Sequence, residues 1–503
     1  MGNWSLNNRE IVNFLNKIEL NFDILGVKYN EVMVWPYLRQ LISLRLINSK
    51  HCADHKRKRK LIKLSSISSF FYCVWRIYFG DRTNNDSCLT RADGLILIHA
   101  SSRQERVDGK WYSRTSDSIA EFLDGKLDIA TWEYSLSSHY PQPRYRPSEY
   151  IDARIFVYMG VGILLGLVRQ LLNPKINHSI KNLNKVMCKS GVQITLPPVI
   201  TVCKIYSILM LSKFFEKRLA IIKPKFVFIP EFYNAISMAL SLACYRRNIA
   251  SVEYQHGAQN DYHRMYTHWN TIPETGYEFL PKYFWCWGNV SADRIRTWAK
   301  KSSYHKVIIG GNLWMLKNQC NSRGSNNSSE KQLRHYKDGK KHILITLQAW
   351  PDYFNFDILS IMKESPSNWC WHIRQHPLHR LPSKDIKKYF LDQKIRNCEI
   401  EYSSSAPLYT ILQSTDVHLT GFSTVAFEAQ AYGIPTIFFH ENALHGFSGL
   451  IDNVFFCYAT SKQEIEKHMQ QILGRKKESS SSENGYIVSS EAAALDALNT
   501  ILD

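Results

Sequence analysis

Three short polar clusters carry residue types that do chemistry. "EYQHGAQND" holds Gln255, His256 and Gly257, and "IRQHPLHR" holds Arg374, His376 and Pro377. "GFSTVAFEAQAYGIPTIFF", residues 421–439, holds Gly421, Ser423, Thr424 and Glu428. An imidazole titrates near working pH and can take a proton from a hydroxyl. A guanidinium, an imidazole and hydroxyls at a helix N-terminus, where unpaired N–H groups and the dipole are positive, suit a phosphate. A carboxylate one turn further in, at Glu428, is placed to meet sugar hydroxyls. Together they suit a nucleotide mono- or diphosphate attached to a sugar. Each residue also has an ordinary structural role open to it: a capped helix, a loop histidine bonded to a carbonyl, a solvent-facing glutamate. Their joint placement, each cluster directly after a strand, weighs toward a site.

The elements that must hold them are strands alternating with helices. "GLILIHA" at 94–100 reads as a buried strand, and the helix after it is capped by Ser116 or Asp117. Residues 226–230 form a strand, 234–247 a helix and 250–254 the next strand, with "YFWCWG" and "VIIGG" continuing the rhythm. A second series begins at 342–347 and runs through "WCWHIRQHP", "CEIEYS", "DVHLTG" and "PTIFF". In the 421–439 stretch Ser423 and Thr424 are N-cap types, Gly433 is a helix stop, and Pro435 cannot continue the helix. Alternating strands and helices imply parallel, doubly wound sheets, which bind ligands at the carboxyl ends of their strands. The expected fold is α/β: two Rossmann-like doubly wound domains facing a cleft, with a helical N-terminal extension. The boundaries are 1–90 for the extension, 91–320 for the first domain, 336–485 for the second and 486–503 for a terminal helix. Residues 317–335, rich in Asn, Ser and Gly, read as a linker or surface loop, and "KKESSSSENG" as a late loop.

At 503 residues the chain exceeds one core. Its 63 Lys and Arg against 44 Asp and Glu give +19, which favours anionic partners. Eleven scattered cysteines without a C-x-x-C pair argue against a zinc site or disulfide framework and for a reducing compartment. The N-terminus lacks signal-peptide and myristoylation patterns. The apolar run 155–168 is shorter than the roughly 20 residues of a spanning helix and reads as a buried or interfacial helix. A basic cluster at 56–60 precedes an aromatic-rich segment ending at Phe79, the composition of a membrane-surface anchor or of a solvated loop before a core helix. No nucleic-acid-binding motif accompanies it, so nucleic acid is not an expected partner.

The His-Pro pair at 376–377, the 421–439 signature and "QHG" at 255–257 resemble the GT-B glycosyltransferases of bacterial surface polysaccharides. They are similar to the branch using cytidine nucleotides: polysialyltransferases, Kdo transferases and teichoic-acid glycerophosphotransferases. The resemblance covers roughly residues 225–439. It implies that His376, Ser423 and Thr424 contact the donor nucleotide and its phosphate and that Glu428 binds ribose hydroxyls, with Arg374, Pro377 and Gly421 completing the donor site. The acidic Glu-Asp-Gly or Asp-Asp-Gly motif of polysialyltransferases is missing, which sets sialic acid chemistry in doubt.

The expectation is transfer of a sugar from a nucleotide-sugar, a CMP-sugar being favoured, to a lipid-linked or polymeric glycan in capsule or O-antigen synthesis. The nucleotide-sugar is a substrate and no cofactor is expected. No D-x-D triplet occurs, so side chains and a helix dipole, not a metal ion, would neutralise the leaving phosphate. The base is expected from the first domain: His256 first, Glu231 second (or a nucleophile in a retaining enzyme), Asp117 third. His256 alternatively binds phosphate or acceptor. The expected location is cytoplasmic, peripheral at the inner face of the cytoplasmic membrane. Transfer of a polyol phosphate from a CDP-polyol and a non-catalytic scaffold role are the alternatives.

Overall fold

A computed structural model describes residues 8–51, 91–135, 140–192, 194–257, 259, 261–324, 339–376, 380–447, 449–451, 454–474 and 486–503. The basic cluster at 56–60, the aromatic segment after it, Pro377 and the late Ser-rich loop lie outside the described residues.

The first domain is a seven-stranded parallel sheet in the order Lys306–Ile309, Tyr283–Cys286, Ala250–Tyr254, Phe226–Ile229, Gly94–His99, Ile129–Tyr134, Glu149–Tyr150. The second is a six-stranded parallel sheet in the order Cys398–Glu399, Trp369–Arg374, Lys341–Thr346, Val417–Thr420, Thr436–Phe438, Phe456–Tyr458. In each, the first strand in sequence lies mid-sheet, with the second and third on one side and the fourth onward on the other. This is the doubly wound order, whose reversal beside the first strand opens a crevice at the strands' carboxyl ends. The strands are near-continuous apolar runs because helices cover both sheet faces. Leu95, Ile96, Leu97 and Ile98 are all buried, as are Ile343, Leu344 and Ile345. Residues of both domains line one cavity between them.

Element ends differ from the sequence expectations by a residue or two. The expected helix from 234 runs Ala235–Arg246, with Asn234 as its cap: Oδ1 accepts from the N–H of Ile236 at 3.0 Å and of Ser237 at 2.9 Å. Neither Ser116 nor Asp117 caps the helix Ser116–Leu123; Thr115 precedes it without a side-chain cap bond. The polar stretch expected to begin a linker at 317 is partly helical, because Leu313–Gly324 forms one helix. The apolar run at 155–168 lies within the 21-residue helix Asp152–Leu172, longer than the run alone implied.

Helices near both ends of the described residues pack on the first domain. Helices Asn8–Asn21 and Trp35–His51 share its core, fastened by a buried ion pair of Arg39 with Glu19. Arg39 also donates to the carbonyl of Thr267 at 3.1 Å, and Glu19 accepts from the Asn270 N–H at 2.6 Å. The terminal helix Glu491–Leu502 packs Ala494, Ala497, Leu498 and Ile501 against the opposite side of the first sheet. The strap leading to it bonds through Val488, whose N–H reaches the Trp287 carbonyl at 2.7 Å and whose carbonyl takes the Asn312 N–H at 2.9 Å. Gly311 makes this approach possible: its φ is +75°, and a Cβ there would lie 2.2 Å from the Val488 oxygen.

Candidate active site

His256 is set by the residue before it. Gln255 is buried at the end of strand Ala250–Tyr254, and its N–H donates to the Trp285 carbonyl at 3.0 Å. Its side chain accepts from the Trp287 N–H at 2.8 Å and donates to the Gly257 carbonyl at 2.9 Å and Ser291 Oγ at 3.0 Å. This clamp fixes the loop, and the His256 side chain, 31% exposed, is left at the cleft. Its Nδ1 stands 3.5 Å from Oε1 of the fully buried Glu253, and its Nε2 lies 3.1 Å from the Tyr233 hydroxyl. Tyr266 donates its hydroxyl to the same Glu253 oxygen. Burial opposes charge on the ring, but the Glu253 carboxylate, with Glu231 beyond it, more than offsets that and holds His256 above its ordinary pKa. Burial pushes the Glu253 carboxyl up in turn.

The opposite wall comes from the second domain. After strand Val417–Thr420 the chain turns at Gly421, where a Cβ would lie 3.3 Å from the Tyr353 carbonyl oxygen. Ser423 and Thr424 follow, then helix Val425–Ala431, which ends before Gly433 at φ +71°. Ser423 Oγ accepts from the Val425 N–H at 3.3 Å. Glu428 is not a solvent-facing helix residue: its side chain is 15% exposed and lies 3.8 Å from Nη1 of Arg114, which belongs to the first domain. Burial raises the Glu428 pKa, opposed by Arg114 and Arg374. Arg114 is also paired with Glu105.

These residues meet in one cavity of about 310 Å³ between the domains. His256, Trp287 and Arg114 line it from the first domain, and His376, Ser423, Thr424 and Glu428 from the second. Its volume is at the lower end for a small-molecule site, and its walls combine indole faces with a few convergent polar groups.

Other candidates lie elsewhere. Arg374 is at the end of its strand but turned inward, with Nη1 donating to the carbonyls of Ser403 and Ala406, each at 2.7 Å. Burial, with Arg114 nearby, lowers its pKa to about 10. Asp117 is buried outside the cavity lining, pairing with Arg103 Nη1 at 2.6 Å and accepting the Ser113 N–H at 2.6 Å. Glu231 stands near His256 outside the lining, its Oε1 3.3 Å from Asn234 Nδ2. Arg114, Trp287 and Glu253 were missed from the sequence. The alternation in "ASVEYQHG" puts Glu253 three residues before His256, a spacing that was available as a signal.

Among the described residues, one trio has metal-ligand types: His342, Cys370 and His372, with ligand atoms within 4.8 Å of one another. It sits within the second sheet, outside the cavity, with His342 Nδ1 3.0 Å from His372 Nε2 and His372 Nδ1 3.2 Å from Ser403 Oγ.

No family model and no curated protein matches the chain. Among solved structures it is similar to the UDP-GlcNAc 2-epimerase of Neisseria meningitidis bound to UDP-GlcNAc, at 15% identity and TM-score 0.49, covering 81% of this chain and 99% of that one. A UDP-GlcNAc 2-epimerase of Methanocaldococcus jannaschii gives 13% identity and TM-score 0.48, with 81% and 99% covered. The wall teichoic acid polymerase TagF gives 10% identity and TM-score 0.40, with 88% and 98% covered.

Proposed function

We propose that this protein is a glycosyltransferase that binds a nucleotide-sugar in the interdomain cavity and transfers the sugar to a glycan acceptor. The observation that carries the reading is the meeting of His256 from one domain with His376, Ser423, Thr424 and Glu428 from the other around a single cavity. The donor phosphate would be met by Arg114, His376 and the two hydroxyls, and the ribose by Glu428. This set needs no metal ion to neutralise the leaving group. A CMP-sugar is the favoured donor, on the resemblance to cytidine-using enzymes.

His256 is the proposed base. A proton on Nδ1 directed at Glu253 makes Nε2 the accepting nitrogen, and an incoming acceptor O–H would displace the Tyr233 hydroxyl that stands 3.1 Å from it. The acceptor oxygen attacks the anomeric carbon, the bond from that carbon to the phosphate oxygen breaks, and the acceptor proton passes to Nε2. Direct displacement of this kind inverts the anomeric centre. The acceptor would be a lipid-linked or polymeric glycan at the inner membrane face, as in capsule or O-antigen synthesis, and the chain a peripheral protein there. The test is nucleotide release from CMP-sugars with a glycan acceptor. Turnover by the wild type that collapses in His256→Ala supports the reading. Full turnover in that variant removes His256 as base, and phosphate in the product would indicate polyol-phosphate transfer instead.

A further inference from the structure

The helix Asp152–Leu172 is packed inside out. Its buried stripe is Ile155, Gly162, Gly166 and Gln170, largely small or polar residues. Ile155, Tyr158, Met159 and Leu165 pack inward, but most of its large apolar side chains face away from the domain: Leu164 is 58% exposed, Leu171 82% and Leu172 77%, with Phe156, Val161, Ile163, Leu167 and Val168 also exposed. An ordinary surface helix has the reverse arrangement.

This orientation is locked. The helix lies antiparallel against Pro198–Ile222, with the two backbones in close contact. A Cβ on Gly162 would be 2.5 Å from Ser207 Cα, and one on Gly166 2.8 Å from Cys203 Cα. Gln170 Nε2 donates to the Gly166 carbonyl at 2.9 Å and lies 3.3 Å from the Val199 carbonyl. Rotating the helix to bury its leucines would put side chains where the glycines now fit. The partner helix adds exposed Val199 and Ile200 at the end carrying Leu171 and Leu172. The apolar surface is therefore continuous across two elements, the kind of patch that marks an interaction site.

Charge decides what covers it. Between Asp152 and Glu216 the sequence has no Asp or Glu and has eight Lys or Arg. Arg169 lies on the exposed helix, Lys175 just beyond its end, and Lys204 one turn after Ile200; all three are exposed. A second copy of the chain would oppose the same cations to themselves, whereas anionic headgroups would neutralise them. Apolar side chains flanked by cations are the composition of an element lying in a bilayer interface. By length and composition both helices could cross a membrane, but Pro198–Ile222 is largely buried in the first domain's core, so this pair cannot leave it to span.

We propose that the outer face of Asp152–Leu172, with Val199 and Ile200, is the surface by which the protein lies on an anionic bilayer. The helix enters the interface lengthwise, presenting roughly 30 Å of apolar face. This rests on the peripheral-membrane reading and deepens it by assigning the contact to a different part of the chain from the basic cluster at 56–60.

The test is co-sedimentation of the full chain with vesicles of phosphatidylglycerol and phosphatidylcholine, against pure phosphatidylcholine. The variant Leu164→Asp/Leu171→Asp/Leu172→Asp changes only exposed positions, and its melting temperature checks folding. Arg169→Glu/Lys175→Glu/Lys204→Glu is a second, charge-only variant. The expected result is wild-type binding to the anionic vesicles and at least a tenfold loss in both variants. If the wild type binds and both variants bind equally well, this assignment is overturned while the peripheral reading stands. If the wild type does not bind, both fall. A wild-type dimer in solution that the Asp variant dissociates would show that a second copy covers the face, and would overturn the proposal.

Discussion

Arg114 of the first domain stands 3.8 Å from Glu428 of the second, across the cavity that separates the two sheets. It is an ion pair between domains at a site lined by both, with Arg114 paired at its other side to Glu105. A ligand carrying a phosphate and vicinal hydroxyls offers each partner a better mate than the other at this distance: phosphate for the guanidinium, ribose for the carboxylate.

Glu428→Ala and Arg114→Ala should each weaken nucleotide binding by tenfold or more while leaving the protein folded, since neither lies in an apolar core. Isothermal titration with the nucleotide, alongside thermal unfolding, checks both halves. The same affinity in both variants would move the donor site elsewhere.

His256→Ala should leave nucleotide affinity within a few-fold and lower kcat by about 10²–10⁴, the usual range for a lost general base. A base acts in its unprotonated form, and Glu253 holds the ring's pKa above its ordinary value. Turnover should therefore fall as pH drops through a midpoint above that ordinary value. Glu253→Gln removes the charge that raises the midpoint and should shift the acid limb to lower pH. A pH–rate profile of the two proteins measures this directly.

Asp117 should behave as a structural residue. It shares Arg103 with Glu133, and all three side chains are buried. Asp117→Ala leaves Arg103 with half its charge partners, and the expected cost is about 3 kcal/mol of stability. Urea unfolding would show it, with turnover per folded molecule little changed. A large fall in turnover with normal stability would restore Asp117 as a base candidate.

Much of this site was legible because its signals are local. Gly433 and Pro435 end a helix by backbone constraint, so the helix carrying Glu428 could be placed from sequence alone. His256 and His376 follow short, largely buried strands, and strand ends are where doubly wound sheets bind. Side-chain direction was not legible. Arg374 occupies the expected place, yet two carbonyls of the 403–406 segment draw its guanidinium inward. Arg114 reaches Glu428 across more than three hundred residues of chain, and nothing in its surroundings announces that partner. The helix Asp152–Leu172 reads as apolar in sequence, but which side is buried depends on two glycines meeting the backbone of another helix.

His305 should make the fold acid-sensitive. Its Nε2 accepts the Tyr277 N–H at 3.0 Å, and its Nδ1 lies 2.8 Å from the Pro281 carbonyl, so only the neutral Nδ1–H tautomer satisfies both. Burial lowers its pKa to about 4, and His418 in the second domain is lowered to about 3 by burial. The unfolded chain binds protons at about 6.5 that the folded state refuses. Stability should thus be full above that pH and be lost as pH falls from about 6.5 toward 4, by on the order of 3 kcal/mol for His305 alone. Melting temperatures across this window test it, and His305→Gln should flatten part of the slope.

The most direct test of the central claim is a thermal-shift panel with CMP, CDP, UDP, GDP and ADP on the wild type and Glu428→Ala. A ligand bound only by the folded state raises the melting temperature by mass action. The expected result is a selective rise with a cytidine nucleotide that disappears in Glu428→Ala. No rise with any of the five nucleotides would contradict the assignment of the interdomain cavity as a nucleotide-sugar site.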